Sequence, residues 1–154
     1  MRAIILSIGD ELILGQVTDT NAGWLGARLA ACGVMTAWRQ TVPDDRAAIA
    51  AALRGAADAA ELIIATGGLG PTPDDLTRDA LADVLGAPLE IYPPARAKLE
   101  QFFRARGWDM PAGNLAQAML PRGAESLENP AGTAPGIHAR LGKAEVYVVP
   151  GVPS

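Results

Sequence analysis

The sequence predicts a single α/β domain with a parallel β-sheet covered by helices on both faces. Short β-type runs alternate with helical patterns through the first half of the chain, which is the order of strand–helix–strand units. The earliest run, residues 3–8, is apolar without interruption, as expected for a central strand buried on both faces. A third observation is a glycine-rich run that lies between a short apolar segment and an amphipathic one.

The elements of the first half follow in order along the chain. The apolar and β-branched runs predict strands at 3–8, 34–42 and 62–66. Helical spacing predicts a helix over 20–32 that ends at Gly33, and a second helix, opened by Pro43-Asp44-Asp45, that carries Ile49 and Leu53. A third helix is predicted over 76–85, ending at Gly86.

The second half is predicted to be richer in β-structure. A helix over 95–106 follows Pro93-Pro94 and ends at Gly107, and Pro111 starts a short helix through Met119. Residues 123–129 are predicted to be extended, and 136–140 with 145–149 to form a hairpin around Leu141-Gly142-Lys143. There is no internal repeat and no obvious linker, so residues 1–154 are predicted to form one domain.

Composition excludes several classes of protein. Hydrophobic residues make up 49% of the 154 residues and charged residues 19%, as in a globular protein and not a disordered one. The net charge is −4 and no basic run occurs, which argues against nucleic acid as a primary partner. No apolar stretch approaches the roughly 20 residues that span a bilayer. We therefore expect a cytoplasmic protein with no membrane partner.

Some reactive or aromatic residues have ordinary structural interpretations. The single cysteine, Cys32, excludes an internal disulfide and a cysteine-built metal site, and its position on a helix predicts a small core residue. Trp24, Trp38 and Trp108 are scattered and are interpreted as packing residues. His138 lies in a predicted hairpin strand, where a structural role is favoured over catalysis.

The most informative segment is the run at 67–75, here called the glycine loop. It reads Gly67-Gly68-Leu69-Gly70-Pro71-Thr72-Pro73-Asp74-Asp75 and joins a predicted strand to a predicted helix. Backbone N–H groups and a helix N-terminus in this layout can hold an anion such as phosphate. Its aspartates could hold a hard metal ion.

Four polar segments follow predicted strands. They are Gly9-Asp10-Glu11, Pro43-Asp44-Asp45, the glycine loop, and Pro150-Gly151-Val152-Pro153. Because ligands of open parallel sheets bind beyond the carboxyl ends of the strands, we expect all four segments at one edge. Phosphate would be repelled by the carboxylates there, so a bridging divalent cation such as Mg²⁺ is implied. Arg46 and Arg78, just inside two helices, could reach phosphate or could be solvated or salt-bridged.

Each acid on this edge also has a structural alternative. Asp44 or Asp45 can simply cap the following helix, and Asp10 with Glu11 can form a solvated turn. Asp74 stands where a cap is expected, and Asp75 lies in the first turn, where the helix dipole favours a carboxylate. The spacing leaves open which aspartate is functional, but several acids and glycines on one edge favour a site.

These motifs together resemble the molybdopterin-binding (molybdenum-cofactor biosynthesis) domain family, and more closely the N-terminal domain of competence/damage-inducible CinA-like proteins. The resemblance covers nearly the whole chain. The matching segments are the glycine loop with Leu76-Thr77, the opening Gly9-Asp10-Glu11-Leu12-Ile13-Leu14-Gly15-Gln16-Val17-Thr18-Asp19-Thr20-Asn21, Val42-Pro43-Asp44-Asp45, Asn129-Pro130-Ala131-Gly132-Thr133-Ala134-Pro135-Gly136, and Pro150-Gly151-Val152-Pro153.

The resemblance implies a three-layer α/β/α sandwich with a mostly parallel sheet, a pocket for a nucleotide or pterin phosphate, and a homo-oligomer, either dimer or trimer. It assigns Asp75 to the metal and phosphate side and Asp44 as a second pocket acid, and it makes both candidate catalytic and metal-binding residues. The ligand-binding residues expected are Gly9, Asp10, Glu11, Gly67, Gly68, Gly70, Thr72, Asn129, Gly132, Thr133, Pro150 and Gly151.

Two departures from the family pattern shape the functional prediction. Leu69 stands where cofactor-synthesis members usually have threonine, which favours the CinA-like branch and a metal-dependent pyrophosphatase acting on ADP-ribose or a similar dinucleotide. The alternative is a binding module for molybdopterin or its adenylylated form. The nicotinamide-nucleotide deamidase domain that often follows in this branch is absent, and the chain stops within the terminal motif. The sequence thus leaves open whether the chain is a fragment of a longer protein and whether its pocket is complete.

Overall fold

The computed structural model describes residues 1–151, and these form a mixed α/β fold around one six-stranded sheet. The strands of the fold are β1 (Arg2–Ile8), β2 (Met35–Val42), β3 (Leu62–Thr66), β4 (Leu89–Ile91), β5 (Met119–Pro121), β6 (Glu125–Leu127), β7 (Gly136–Leu141) and β8 (Ala144–Val149). Strands β4 and β5 pair in a separate two-stranded sheet. The helices are α1 (Asp10–Ile13), α2 (Thr20–Ala31), α3 (Arg46–Ala59), α4 (Thr77–Leu85), α5 (Pro93–Ala105) and a 3₁₀ helix (Ala112–Ala118).

The main sheet is mostly parallel, as predicted. Its strand order is β2-β1-β3-β8-β7-β6, with β1 parallel to both β2 and β3, and β3 parallel to β8. The predicted hairpin is present as the antiparallel pair β7–β8, and β6 adds a further antiparallel strand. The chain order reverses between β1 and β3, so the crevice at their carboxyl ends is the expected ligand position.

Helices pack on both faces of the sheet because β1 is apolar on both sides. Ile4 and Leu6 belong to the larger core cluster, which includes buried residues of α3 and α4. Ala3 and Ile5 point to the opposite face, where they pack with Ala22 and Leu29 of α2. All of β1 beyond Arg2 is buried, in agreement with its uninterrupted apolar sequence.

Several local features of the structure differ from the sequence predictions. The turn at Asp10 and Glu11 is a short helix, only Glu125–Leu127 of the extended 123–129 segment is a strand, and the sequence did not predict the small β4–β5 sheet. Cys32 is exposed because it follows the last residue of α2, past the helical face that packs on the sheet.

The tryptophans are also not packing residues. Trp24, Trp38 and Trp108 are 59%, 43% and 60% exposed. Trp24 lies under the guanidinium of Arg28, 5.1 Å from the ring centroid. None of the helices within residues 1–151 combines the length and apolar character needed to cross a membrane.

Candidate functional site

The polar segments that follow β1, β2, β3 and β8 meet in one cleft of about 940 Å³. The parallel arrangement of these four strands places their carboxyl ends on the same edge. The predicted site residues that line the cleft are Gly9, Glu11, Asp44, Gly67, Gly68, Gly70, Thr72, Asp75, Asn129, Gly132, Thr133, Pro150 and Gly151. Asp10 does not line it. Val152 and Pro153, from the same terminal motif, lie outside the described residues.

The backbone of the glycine loop is held from behind by the first turn of α4. The carbonyl of Gly67 accepts a hydrogen bond from Thr77 Oγ1 at 2.8 Å, and that of Gly68 accepts one from Thr77 N at 3.2 Å. Arg78 Nη2 donates to the carbonyl of Leu69 at 2.9 Å. Three successive carbonyls of the loop therefore point toward α4.

This arrangement turns three backbone N–H groups to the other side of the loop. The chain has no cis peptide bond in its described part, and in a trans peptide the C=O and the following N–H point in opposite directions. The N–H groups of Gly68, Leu69 and Gly70 therefore face away from α4, and all three residues line the cleft. Such a row of N–H groups forms an anion-binding concavity.

Glycine is required by the backbone at the start of this loop. Gly67 and Gly68 have φ values of 100° and 71°, in the region that side chains disfavour. A Cβ at Gly67 would strike the carbonyl oxygen of Ile8, and one at Gly68 would strike the side chain of Thr77. The two glycines thus allow the loop to approach β1 and α4 closely enough for the hydrogen bonds above.

Asp75 is held within the glycine loop and is not a helix cap. Its Oδ2 accepts hydrogen bonds from Thr72 N at 2.9 Å and Thr72 Oγ1 at 2.7 Å. Helix α4 begins at Thr77, and its N-cap position is occupied by Leu76 without a side-chain cap. The cap position expected at Asp74 and the first-turn position expected for Asp75 are therefore wrong, because the loop runs two residues further than the spacing indicates.

Asp44 is fixed by a reciprocal pair of hydrogen bonds with Asp10. Asp10 N donates to Asp44 Oδ2 at 3.0 Å, and Asp44 N donates to Asp10 Oδ1 at 2.9 Å. Burial raises the pKa of Asp44, and the negative charges of Asp10, Glu11 and Asp75 raise it further, against a lowering by the Asp10 N–H. Asp10 thus positions Asp44 from outside the cleft.

The sequence left open whether Asp44 or Asp45 caps α3, and in the structure the cap is Asp45. Its Oδ1 accepts a hydrogen bond from Ala48 N at 2.7 Å, at the N-terminus of α3. Asp44 is therefore free of the capping role, and its carboxylate lines the cleft.

The side chains around the cleft are acidic. The carboxylate residues that line it are Glu11, Asp19, Asp44, Asp74 and Asp75. Within residues 1–151 no lysine, arginine or histidine lines it. Arg46 is bonded instead to Asp83, with Nε 2.6 Å and Nη2 2.7 Å from the carboxylate oxygens, and Arg78 is buried behind the glycine loop. A phosphate ligand would therefore meet mainly negatively charged side chains in this cleft.

The donor set suits a divalent metal ion that binds together with a phosphate. Within the described chain no three acidic, histidine or cysteine side chains are placed to hold a metal by themselves. Asp44 and Asp75 each use Oδ2 for protein hydrogen bonds, and no hydrogen bond among residues 1–151 uses their Oδ1 atoms. Mg²⁺ is commonly held by one or two carboxylates together with substrate phosphates, and these residues fit that pattern.

The loop at 129–134 is shaped mainly by its own hydrogen bonds. Asn129 Nδ2 donates to the carbonyl of Ala134 at 2.8 Å, and Asn129 Oδ1 accepts from Ala131 N at 3.1 Å. The hydroxyl of Thr133 donates to Gln117 Oε1 at 2.6 Å. The side chains of Asn129 and Thr133 therefore hold the loop in place.

Three cleft residues that sequence reasoning did not name as site residues form hydrogen bonds there. Asp19 caps α2 by accepting from Ala22 N at 3.0 Å, and Asn21 Nδ2 donates to the carbonyl of Gly151 at 2.8 Å. Gln117, 4% exposed, supports the hydroxyl of Thr133. Asp19 and Asn21 lie at the start of α2, and both belong to the segment 9–21 that carries the family resemblance, so that segment could have indicated them. Gln117 carries no comparable sequence signal.

His138 lies outside the cleft, in agreement with the structural interpretation. Its ring stacks on Tyr147 with centroids 4.6 Å apart. Nε2 lies 2.7 Å from Glu145 Oε2, and Nδ1 lies 3.2 Å from Glu125 Oε2. The bond to Glu145, followed by the one to Glu125, raises the pKa of His138.

Comparison with known proteins identifies a matching family model and similar sequences. The family model described as "Probable molybdopterin binding domain" matches residues 4–154. A CinA-like protein from Anaeromyxobacter sp. (strain Fw109-5) is 50% identical over 149 residues, covering 97% of this chain and 36% of that protein. A CinA-like protein from Salinibacter ruber is 46% identical over 154 residues, covering 99% and 37%. The chain thus spans little more than a third of the length of these curated relatives.

Solved structures are similar over the whole chain. The protein CinA from Thermoplasma acidophilum, described as having unknown function, superposes with a TM-score of 0.91 at 34% identity, covering 99% of this chain and 89% of that one. The molybdopterin biosynthesis enzyme MoaB from Thermus thermophilus superposes with a TM-score of 0.63 at 25% identity, covering 99% and 82%.

Proposed function

The chain belongs to the molybdopterin-binding domain family, with CinA-like proteins among its relatives, and from that premise we propose that it is a metal-dependent hydrolase of dinucleotides. The proposed substrate is ADP-ribose or a similar compound with a pyrophosphate linkage. The observation that carries the proposal is the glycine loop, whose three N–H groups face a cleft lined with carboxylates. Anion donors and metal-binding acids on one cleft suit a ligand that has both phosphates and a bound cation.

The residues have distinct tasks in this reaction. The N–H groups of Gly68, Leu69 and Gly70 donate to a phosphate oxygen and stabilise the charge that develops there. Asp44 orients a water molecule and accepts its proton as the water oxygen bonds to phosphorus. The bridging P–O bond then breaks, and ADP-ribose yields AMP and ribose 5-phosphate.

Asp75 would hold the divalent metal, with Asp44 as the second candidate ligand on the same cleft. When bound, the metal supplies positive charge that neutralises the phosphates beside the acidic residues. Thr72 fixes the carboxylate of Asp75 through two hydrogen bonds. Gly70 leaves room for it, because a Cβ there would lie 2.6 Å from Asp75 Oδ2.

The direct test is mass spectrometry of ADP-ribose after incubation with the purified chain and Mg²⁺. The Asp75→Asn variant keeps an acceptor for Thr72 but loses the negative charge, so it should retain its fold and lose turnover. Asp83→Asn is the matched control, because Asp83 is an exposed acid of α4 bonded to Arg46. Turnover in Asp75→Asn equal to that of the wild type would contradict the proposal.

The alternative is a binding module for molybdopterin or its adenylylated form, and one observation removes the main objection to it. Leu69, the residue that separates the two branches by sequence, is 2% exposed and belongs to the core. It therefore offers a ligand only its backbone, so its side chain gives no contact that would exclude a pterin. Titration with molybdopterin and with ADP-ribose, with and without Mg²⁺, separates the two functions. Tight pterin binding without nucleotide cleavage would favour the binding module.

The homo-oligomer, whether dimer or trimer, and the cytoplasmic location stay predictions of the sequence. Size-exclusion chromatography with light scattering measures the first directly. A monomer at all concentrations would contradict it.

A further inference from the structure

Arg78 is buried without a salt bridge. The residue is 2% exposed, in the first turn of α4. Its Nη2 donates to the carbonyl of Leu69, but its Nε is buried and has no hydrogen-bond partner. In the described part of the chain, the salt bridges do not include Arg78.

Such a side chain is costly for the fold. Burying a guanidinium without an ion pair carries a desolvation penalty, and an unsatisfied buried donor adds to it. An apolar side chain of similar volume would avoid both costs. A buried group of this kind in a folded protein needs an explanation other than stability.

The position of Arg78 supplies that explanation. Its hydrogen bond holds the carbonyl of Leu69 toward α4, and the same trans peptide therefore directs the N–H of Gly70 toward the cleft. Its positive charge lies behind a cleft that no basic side chain within residues 1–151 lines. Little solvent separates this charge from the loop, so its field is only weakly screened.

We propose that Arg78 is a positioning residue of the phosphate site, which aims the N–H of Gly70 at the bound phosphate and offsets the negative charge of the cleft. The inference rests on the proposed function, because it requires a phosphate at the glycine loop. Arginine suits this role better than lysine, since its guanidinium stays charged when buried, whereas the lysine ammonium loses its proton more readily.

The test uses three variants and a ligand that needs no turnover. Arg78→Met removes the charge and the donor at similar volume, while Arg78→Lys keeps a charge and a shorter donor. Arg46→Met is the matched control, because Arg46 is exposed and bonded to Asp83 outside the cleft. Isothermal titration with inorganic pyrophosphate and Mg²⁺ measures affinity, and thermal unfolding measures stability.

We expect Arg78→Met to weaken pyrophosphate binding by roughly tenfold to a hundredfold, as for the loss of a charge-assisted contact. Its unfolding temperature should stay near that of the wild type, because the lost hydrogen bond is offset by removal of an uncompensated charge. Arg78→Lys should recover part of the affinity. Unchanged affinity in Arg78→Met, or an equal loss in Arg46→Met, would overturn the inference.

A spectroscopic measurement covers the case in which Arg78→Met does not fold. In ¹H–¹⁵N spectra of the wild type, pyrophosphate with Mg²⁺ should shift the amide signals of Gly68, Leu69 and Gly70. In Arg78→Lys the shift at Gly70 should shrink while that at Gly68 persists, because Thr77 still holds the carbonyl of Gly67. Equal shifts in the two proteins would overturn the inference.

The two proposals fail in different ways. A wild-type protein that binds pyrophosphate but leaves ADP-ribose intact contradicts the hydrolase, and the affinities of the variants then decide the role of Arg78. A wild-type protein that binds no pyrophosphate overturns the role of Arg78 as well.

Discussion

Replacing the neighbouring residues Asp44 and Asp45 one at a time should separate an effect on stability from an effect on activity. Asp45→Ala removes the cap of α3, whose Oδ1 accepts from Ala48 N at 2.7 Å. The loss of such a cap costs about 1 kcal/mol of unfolding free energy, which corresponds to a Tm lower by roughly 2–4 °C for a domain of this size. Its turnover should remain, because its carboxylate does not line the cleft.

Asp44→Asn should have the opposite effect. The asparagine oxygen can still accept from Asp10 N, so the Tm should change little. Loss of the proton acceptor should lower turnover by roughly a hundredfold or more. The two measurements are thermal unfolding by circular dichroism and mass spectrometry of ADP-ribose with Mg²⁺. A loss of turnover in Asp45→Ala at unchanged Tm, or a normal turnover in Asp44→Asn, would refute the assignment.

Two further predictions concern stability. The hydrogen bond to Glu145, followed by the one to Glu125, raises the pKa of His138 from its usual 6.5. The protonated His138 therefore stabilises the folded state fully below pH 6.5, and this stabilisation is lost as the pH rises through the folded-state pKa. The Tm of the wild type should therefore decline over that range more than the Tm of His138→Phe, which keeps the stacking on Tyr147; parallel declines would contradict this. Gly68→Ala should cost about 1–3 kcal/mol, because φ is 71° and the new Cβ meets the side chain of Thr77. Gly26→Ala, in α2 with open space around it, should instead raise the free energy of unfolding by about 0.5–1 kcal/mol. Denaturant unfolding of both variants measures the difference. A Gly68→Ala variant as stable as the wild type would contradict the loop geometry.

Much of the fold could be predicted because its signals are local. The apolar run of β1, the glycines that follow α2 and α4, and the β7–β8 hairpin depend on neighbouring residues. The shared strand edge followed from one general rule about parallel sheets. The β4–β5 sheet was missed because its strands have three residues each and pair across a long separation in sequence.

The main segments of the candidate site and its position at the sheet edge could be predicted from the sequence, but the role of each residue could not. The glycine loop, Asp44 and Asp75 could be proposed from spacing and resemblance. The choice between Asp44 and Asp45 as the cap of α3 depended on a distance to one backbone N–H. The cap expected at Asp74 for α4 is wrong because the loop continues to Leu76. Capping requires a particular φ and ψ as well as a residue type, and spacing reports only the type.

An α/β fold with a parallel sheet and a glycine loop beside acids at one edge follows from the amino-acid sequence alone, because periodicity and glycine positions are properties of neighbouring residues. The folded structure was needed to place the side chain of Leu69 in the core and Arg78 behind the loop. It also decided that three N–H groups of the loop face the cleft. These outcomes depend on which carbonyl each donor reaches after the chain has folded, and that is a relation between atoms in space.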